Sequence, residues 1–201
     1  MAGGGHRRVG IFGGSFDPPH KTHIALAERA REFLGLDLLV FVPTNSSPPK
    51  FGLHFAPFED RIKMLEIALG GFGGNFEISR AEARSDGATT YAADTAEAVR
   101  RRFPDAELFW ILGADMLAAL PHWYGIERLA QTAVFAYAAR AGVGRISAEH
   151  FADSIRLKHI PFGETAAASS AIRAALKSGE TKIPDLDCRV LAYILENRLY
   201  T

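Results

Sequence analysis

Short apolar segments alternate with helical patterns along most of this sequence, and this alternation constrains the fold more than any other feature. The predicted strands are Arg8–Phe12, Leu38–Val42, Phe76–Ser79, Leu108–Leu112, Ala133–Tyr137 and Arg156–Ile160. The predicted helices are Ile24–Leu34, Pro57–Leu69, Tyr91–Arg102, Ser169–Lys177 and Leu186–Glu196. Apolar strands without clean polar alternation are typical of a sheet covered on both faces. The order strand, helix, strand therefore predicts an α/β fold, a doubly wound parallel sheet with helices on both faces.

The bulk composition limits the classes of protein to which the chain can belong. Its length of 201 residues suits one domain, residues 1–201, in which we expect residues 1–6 to be a flexible leader. Lys plus Arg and Asp plus Glu both number 23, so a small anionic ligand is a better partner than long nucleic acid. No apolar run approaches the roughly 18 residues of a membrane span. The single Cys188 and the absence of an apolar signal segment predict a cytoplasmic protein.

The loop GGSFDPPHKTH, which follows the first predicted strand, is the first candidate site. Ligands of a doubly wound sheet bind at the carboxyl ends of the strands, where this loop lies. Gly13 and Gly14 let the backbone come close to a ligand, and Ser15 adds a hydroxyl and exposed amides. The next helix is expected to begin around residues 19–21, and its amino-terminal N–H groups favour an anion at the same place. The loop therefore predicts a phosphate site.

The two histidines of this loop, His20 and His23, are three residues apart, so on a helix they would share one face and reach the same anion. Two other interpretations remain open at this point. The loop could be a Gly-rich turn with incidental surface histidines, or the pair could bind zinc, although no third ligand lies at motif spacing. The adjacent glycines do not match G-x-G-x-x-G, which disfavours hydride transfer on a dinucleotide.

The same loop resembles the G-x-F-D-P-x-H-x-G-H signature of the nucleotidyltransferase superfamily, whose fold is Rossmann-like, with Thr22 in the place of the usual glycine. Four further stretches resemble bacterial nicotinate mononucleotide adenylyltransferases. They are FVPTNSSPPK, EDRIKMLEIAL, ILGADMLAALPHWYGIE and ASSAIRAAL. Pantetheine-phosphate adenylyltransferases share the two end motifs but lack the Trp-Tyr segment in the middle, so the nicotinate-nucleotide family is the closer match.

This resemblance implies a role for each matching residue. The implied catalytic residues are His20, His23 and Arg173. The implied ATP-binding residues are Gly13, Gly14, Ser15, Phe16, His20, His23, Gly113, Asp115, Ser169, Ser170, Ile172 and Arg173. The implied substrate-binding residues are Asn45, Lys50, Thr90, Tyr91, Ala92, Trp123, Tyr124 and Arg140. Residues 165–201 would be a C-terminal helical part that completes the ATP site.

Several of these residues also have a plain structural interpretation. Asp115 could cap a helix, Trp123 could pack in the core, and Lys50 could be a solvated loop lysine. The serines at the start of the last motif could belong to an ordinary capped helix. Asp17 is expected to be structural, with its carboxylate fixing the loop before Pro18.

The resemblance implies transfer of AMP from ATP to nicotinate mononucleotide, giving nicotinate adenine dinucleotide and pyrophosphate. Mg²⁺ would arrive with ATP, and no protein metal site is expected. The alternatives are nicotinamide mononucleotide, pantetheine phosphate or glycerol phosphate as acceptor, or a non-catalytic nucleotide-binding module. That last alternative is motivated by three departures from the family pattern, Thr22, Ala92 and Ala168. A homo-oligomer is possible, because apolar helix faces can serve a core or an interface.

Overall fold

The computed structural model describes residues 7–44, 56–82, 90–138, 154–163 and 167–200. Within these ranges six parallel strands form one sheet in the order β3-β2-β1-β4-β5-β6. The strands are β1 Arg8–Gly14, β2 Leu38–Pro43, β3 Phe76–Ile78, β4 Glu107–Gly113, β5 Val134–Ala138 and β6 Leu157–Ile160. Each of the six predicted strands is confirmed. The strand order reverses between β1 and β4, which is the doubly wound arrangement and the place where such sheets bind ligands.

The helices of the described residues cover both faces of this sheet. They are α1 Lys21–Leu34, α2 Phe58–Ala68, α3 Ala92–Arg102, α4 Ile126–Thr132, α5 Ser169–Lys177 and α6 Cys188–Glu196, with 3-10 segments at Leu69–Gly71 and Ala114–His122. The sequence analysis did not predict α4 or the second 3-10 segment. Both lie in the stretch between β4 and β5, where the helices are too short to produce a clear apolar period. None of the described helices is both long and apolar enough to pass through a membrane.

The core consists of two layers, one on each face of the sheet. Trp110 and Ile111 are neighbours along β4 but belong to opposite layers, as strand geometry requires. One layer packs against α3 and α4, and the other packs against α1 and α2. This arrangement confirms the predicted doubly wound fold and explains why the strands lack polar alternation.

A third apolar cluster joins the C-terminal helices to α2. Met64 of α2 is fully buried beside Ile172 of α5 and Val190 and Ile194 of α6. Ile24, near the start of α1, is partly buried and also packs against this cluster. The cluster therefore holds α5 close to α2 and to the start of α1, although these segments are far apart in the sequence.

Candidate active site

The loop between β1 and α1 folds inward instead of lying on the surface. Phe16 and Asp17 are fully buried, and His20 is 5% exposed. A Cβ atom added at Gly13 would lie 3.1 Å from Cζ2 of Trp110, so the absence of a side chain there lets this indole pack against the end of β1. The loop is therefore packed against the protein core, which is not the case for a simple surface turn.

The helix α1 begins at Lys21, within the range expected from the sequence, and His20 is its N-cap residue. His20 has an extended backbone, so it precedes the helix and does not share a helical face with His23 as the spacing had suggested. The two imidazole rings nevertheless stack, with centroids 3.8 Å apart and planes inclined by 26°. The first turn of α1 has no acidic side chain that would compete with an anion for its N–H groups.

The hydrogen bonding of His23 determines where its proton lies. The backbone N–H of His20 donates to Nδ1 of His23 at 3.2 Å. A neutral imidazole with Nδ1 acting as acceptor carries its proton on Nε2. His23 can therefore donate one hydrogen bond, from Nε2, to a ligand at the start of α1.

The surroundings of His23 favour this neutral form. Its ring centroid lies 5.1 Å from that of Phe16 and 6.2 Å from that of Phe12. Burial, and secondarily the neighbouring His20, lower the pKa of His23 well below its ordinary value of 6.5. At neutral pH His23 is thus an uncharged hydrogen-bond donor, and an arriving anion would raise its pKa again.

The lowered pKa of His23 predicts a pH-dependent stability. Between pH 7.5 and 5.5 the unfolded chain takes up a proton at His23 more readily than the folded chain does, so the free energy of unfolding decreases as the pH falls. In His23→Gln this contribution is absent. We expect urea denaturation to show that wild type loses more stability than His23→Gln over this interval. An equal loss in both proteins would contradict a neutral His23 in the folded chain.

Asp17 joins this loop to three other parts of the chain. Its Oδ1 accepts hydrogen bonds from the backbone N–H of Ala56 at 3.0 Å and from the hydroxyl of Tyr200 at 2.6 Å. Its main-chain carbonyl oxygen accepts a hydrogen bond from Nη1 of Arg173 at 2.7 Å. The carboxylate is thus a structural anchor for the loop, the role expected from the sequence.

Arg61 of α2 is a second buried anchor, which the sequence analysis did not single out. Its guanidinium donates to the carbonyl oxygens of Ser15 at 2.8 Å, Thr44 at 2.6 Å and Ala56 at 3.1 Å. Arg61 is only 3% exposed, and burial lowers its pKa, an effect that nearby Asp17 opposes. The sequence signal was an arginine within the apolar pattern of a helix, and only the fold shows what it binds.

The start of α5 meets the same loop. Besides the bond from Arg173 to Asp17, the Ser169 hydroxyl donates to the carbonyl oxygen of Pro18 at 3.0 Å. Arg173 keeps 15% of its side-chain surface accessible, and its Nη1 lies 3.6 Å from Oδ2 of Asp17. The structure therefore brings the C-terminal motif onto the loop that contains His20 and leads into the first turn of α1, where His23 lies, across separations of 151 and 156 residues.

Other residues of the C-terminal motif differ in what they can offer a ligand. Ser170 is exposed at the start of α5. Ala168, where the family pattern has serine, is the N-cap residue and has no side-chain capping bond. Ile172 is 3% exposed in the third apolar cluster, and its N–H donates to the carbonyl oxygen of Ala168 at 3.1 Å. The structure therefore gives the Ile172 side chain a packing role.

A second group of sequence-predicted residues lies around the start of α3. The rings of Tyr91 and Tyr124 are 4.2 Å apart and are 37% and 65% exposed. Trp123 packs partly into the core, with its ring edge-on to Trp110 at 6.3 Å. The Thr90 hydroxyl oxygen is buried and has no hydrogen-bond partner among the residues that the structure describes. Ala92 begins α3 and has no hydroxyl to offer.

Several sequence-predicted residues cannot be placed in this geometry. Asn45, Lys50 and Arg140 lie outside the described residues. Gly113 ends β4 at the carboxyl edge, next to β1, and Asp115 lies in the 3-10 segment that follows. The Asp115 side chain is also outside the described part of the structure.

Comparison with known proteins agrees with this geometry. The family model described as cytidylyltransferase-like matches residues 11–175. A protein of Listeria monocytogenes named probable nicotinate-nucleotide adenylyltransferase is 34% identical over 193 residues, which cover 96% of this chain and 97% of that protein. A protein of the same name from Thermomicrobium roseum is 35% identical and covers 96% and 91% of the two chains. The chain belongs to the nicotinate-nucleotide adenylyltransferase family.

Solved structures of the family share the fold of this chain. Plasmodium falciparum nicotinic acid mononucleotide adenylyltransferase complexed with NaAD superimposes with a TM-score of 0.77 at 19% identity. The same enzyme complexed with APC gives a TM-score of 0.76 at 20% identity. In both comparisons the match covers 97% of this chain and 98% of the other. The agreement therefore extends over nearly the whole chain.

Proposed function

We propose that this protein transfers AMP from ATP to nicotinate mononucleotide, producing nicotinate adenine dinucleotide and pyrophosphate. The observation that carries this proposal is the similarity to nicotinate-nucleotide adenylyltransferases, at about 34% identity over 96% of the chain. The loop between β1 and α1 supports it, because this loop lies at the ligand-binding edge of the sheet, ends at the stacked rings of His20 and His23, and accepts a hydrogen bond from Arg173 at Asp17.

The reaction needs positioning more than proton transfer. The attacking phosphate of nicotinate mononucleotide is already an anion near neutral pH, so no strong general base is required. Catalysis then consists of aligning the two phosphates and stabilising the charge that develops on the α-phosphate of ATP. We assign the second task to Nε2–H of His23, together with the N–H groups at the start of α1. His20 would orient the phosphates beside it.

The leaving pyrophosphate requires positive charge at the other side of the α-phosphate. Arg173, the Ser169 hydroxyl and the N–H groups at the start of α5 would bind the β and γ phosphates. Mg²⁺ would enter with ATP as part of the substrate, bound mainly to phosphate oxygens and water. Within the described ranges no three His, Cys, Asp or Glu side chains form a group that could hold a metal ion.

The residues around the start of α3 would bind the pyridine end of the acceptor. The Tyr91 and Tyr124 rings offer an exposed aromatic surface for stacking. Asp94 in the first turn of α3 accepts a hydrogen bond from the Tyr91 N–H and pairs with Arg128. We therefore assign the preference for a carboxylate over an amide to the buried Thr90 hydroxyl and the remaining N–H groups at the start of α3. Thr90 would therefore compensate in part for the hydroxyl that Ala92 lacks.

A pyrophosphate-release assay with a panel of acceptors tests this function. With ATP and Mg²⁺, we expect nicotinate mononucleotide to exceed nicotinamide mononucleotide by at least about tenfold in kcat/KM, as expected when a charge-assisted contact is lost. Pantetheine phosphate and glycerol phosphate should give only background release. Equal rates with the acid and the amide would refute the predicted specificity. No release with any acceptor would favour the non-catalytic alternative.

A further inference from the structure

The segment after α6 returns to the loop between β1 and α1, where it contributes Tyr200. Arg198 and Tyr200 have positive φ angles of 51° and 65°, a conformation that side chains other than glycine rarely adopt. The side chains of Leu199 and Tyr200 pack against the third apolar cluster. A backbone conformation of this kind persists only where surrounding contacts stabilise it, so these contacts fix the position of the Tyr200 side chain.

Tyr200 contacts the candidate site as well as the core. Its hydroxyl donates to Oδ1 of Asp17 at 2.6 Å, and burial raises the pKa of this hydroxyl, with Asp17 adding to the effect. The Asp17 carboxylate is fully buried, so its negative charge must be stabilised by the hydrogen-bond donors and positive charges around it. Those groups are the Ala56 N–H, the Tyr200 hydroxyl and the Arg173 guanidinium, with the buried Arg61 guanidinium as a further positive charge nearby.

The distances show which of these groups contact the Asp17 carboxylate directly. Tyr200 and Ala56 donate to Oδ1 at hydrogen-bond distance, whereas Nη1 of Arg173 lies 3.6 Å from Oδ2 and donates to the Asp17 carbonyl oxygen instead. Without the Tyr200 hydroxyl, the carboxylate would be stabilised by one neutral donor less. It would then draw the Arg173 guanidinium into a closer ion pair.

We propose that Tyr200 is a positioning residue for the ATP triphosphate, because its hydrogen bond to Asp17 keeps Arg173 oriented toward the β and γ phosphates. This inference rests on the proposed function. It assigns a role in substrate binding to a residue that lies 183 positions from its partner and outside every motif of the sequence.

Tyr200→Phe tests the proposal, with Tyr193→Phe as the matched control. Tyr193 lies in α6 and donates to Oδ1 of Asp60 at 2.7 Å, so the control removes a similar bond between the C-terminal part and α2. The two probes are a non-reactive ATP analogue and nicotinate adenine dinucleotide, which lacks the β and γ phosphates. For Tyr200→Phe we expect about tenfold weaker binding of the analogue, the effect of one impaired charged contact, and less than about twofold change for the dinucleotide.

The control should leave both affinities within about twofold of wild type. The ratio of the two affinities is measured on one sample, so it does not depend on the folded fraction of a less stable variant. Equal ratios in the two variants and wild type would overturn the role of Tyr200, as would parallel weakening of both ligands. Failure of wild type to bind the analogue would instead overturn the proposed function, and the inference with it.

Discussion

Replacing His23 with alanine is expected to lower kcat by at least about a hundredfold while ATP still binds. The effect appears in kcat because the Nε2–H of His23 is assigned to charge that develops on the α-phosphate only in the transition state. The lowered pKa of His23 sharpens this expectation, since the residue acts as a neutral donor held in place by the His20 N–H. Steady-state kinetics with ATP varied at saturating nicotinate mononucleotide would measure both constants.

His159→Ala is a suitable control for this experiment. His159 lies in β6, the strand at the edge of the sheet, where its ring contacts Tyr137 at 5.2 Å. We expect its removal to leave kcat within about twofold of wild type. If His23→Ala instead raised KM for ATP and preserved kcat, His23 would contribute only ground-state binding.

Arg61→Met is expected to destabilise the protein by about 3–5 kcal/mol, the usual cost of removing one member of a buried charged network. The substitution keeps most of the apolar volume but leaves the carbonyl oxygens of Ser15, Thr44 and Ala56 without their charged donor. The Asp17 carboxylate also loses a neighbouring positive charge. For a chain of this length the melting temperature should decrease by roughly 6–20 °C.

Arg80→Met is the matched control for stability. Nη1 of Arg80 donates to both carboxylate oxygens of Glu59 in α2, at 2.7 and 2.8 Å, but the two side chains are 53% and 66% exposed. Exposed pairs contribute less than about 1 kcal/mol, so this variant should melt close to wild type. A similar melting temperature for both variants would show that Arg61 does not anchor the loop.

Local patterns in the sequence were sufficient for most of the architecture. All six strands and the five predicted helices are present, because strand and helix periodicity depend on residues only a few positions apart. The unpredicted elements, α4 and the 3-10 segment Ala114–His122, are short and owe their conformation to packing against the sheet. The residues of the first loop were identified in the same way, from a motif contained in one short stretch.

The arrangement around Asp17 was decided only by the tertiary structure. Its partners Arg173 and Tyr200 are 156 and 183 residues away, and no local pattern marks either contact. Burial likewise determines that His23 is neutral, since the residue type alone would predict a pKa near 6.5. The sequence by itself therefore determined the fold and supplied the candidate site residues. The packing of distant segments decided which of these residues come into contact and which charge state each adopts, because desolvation and long-range contacts exist only in the folded chain.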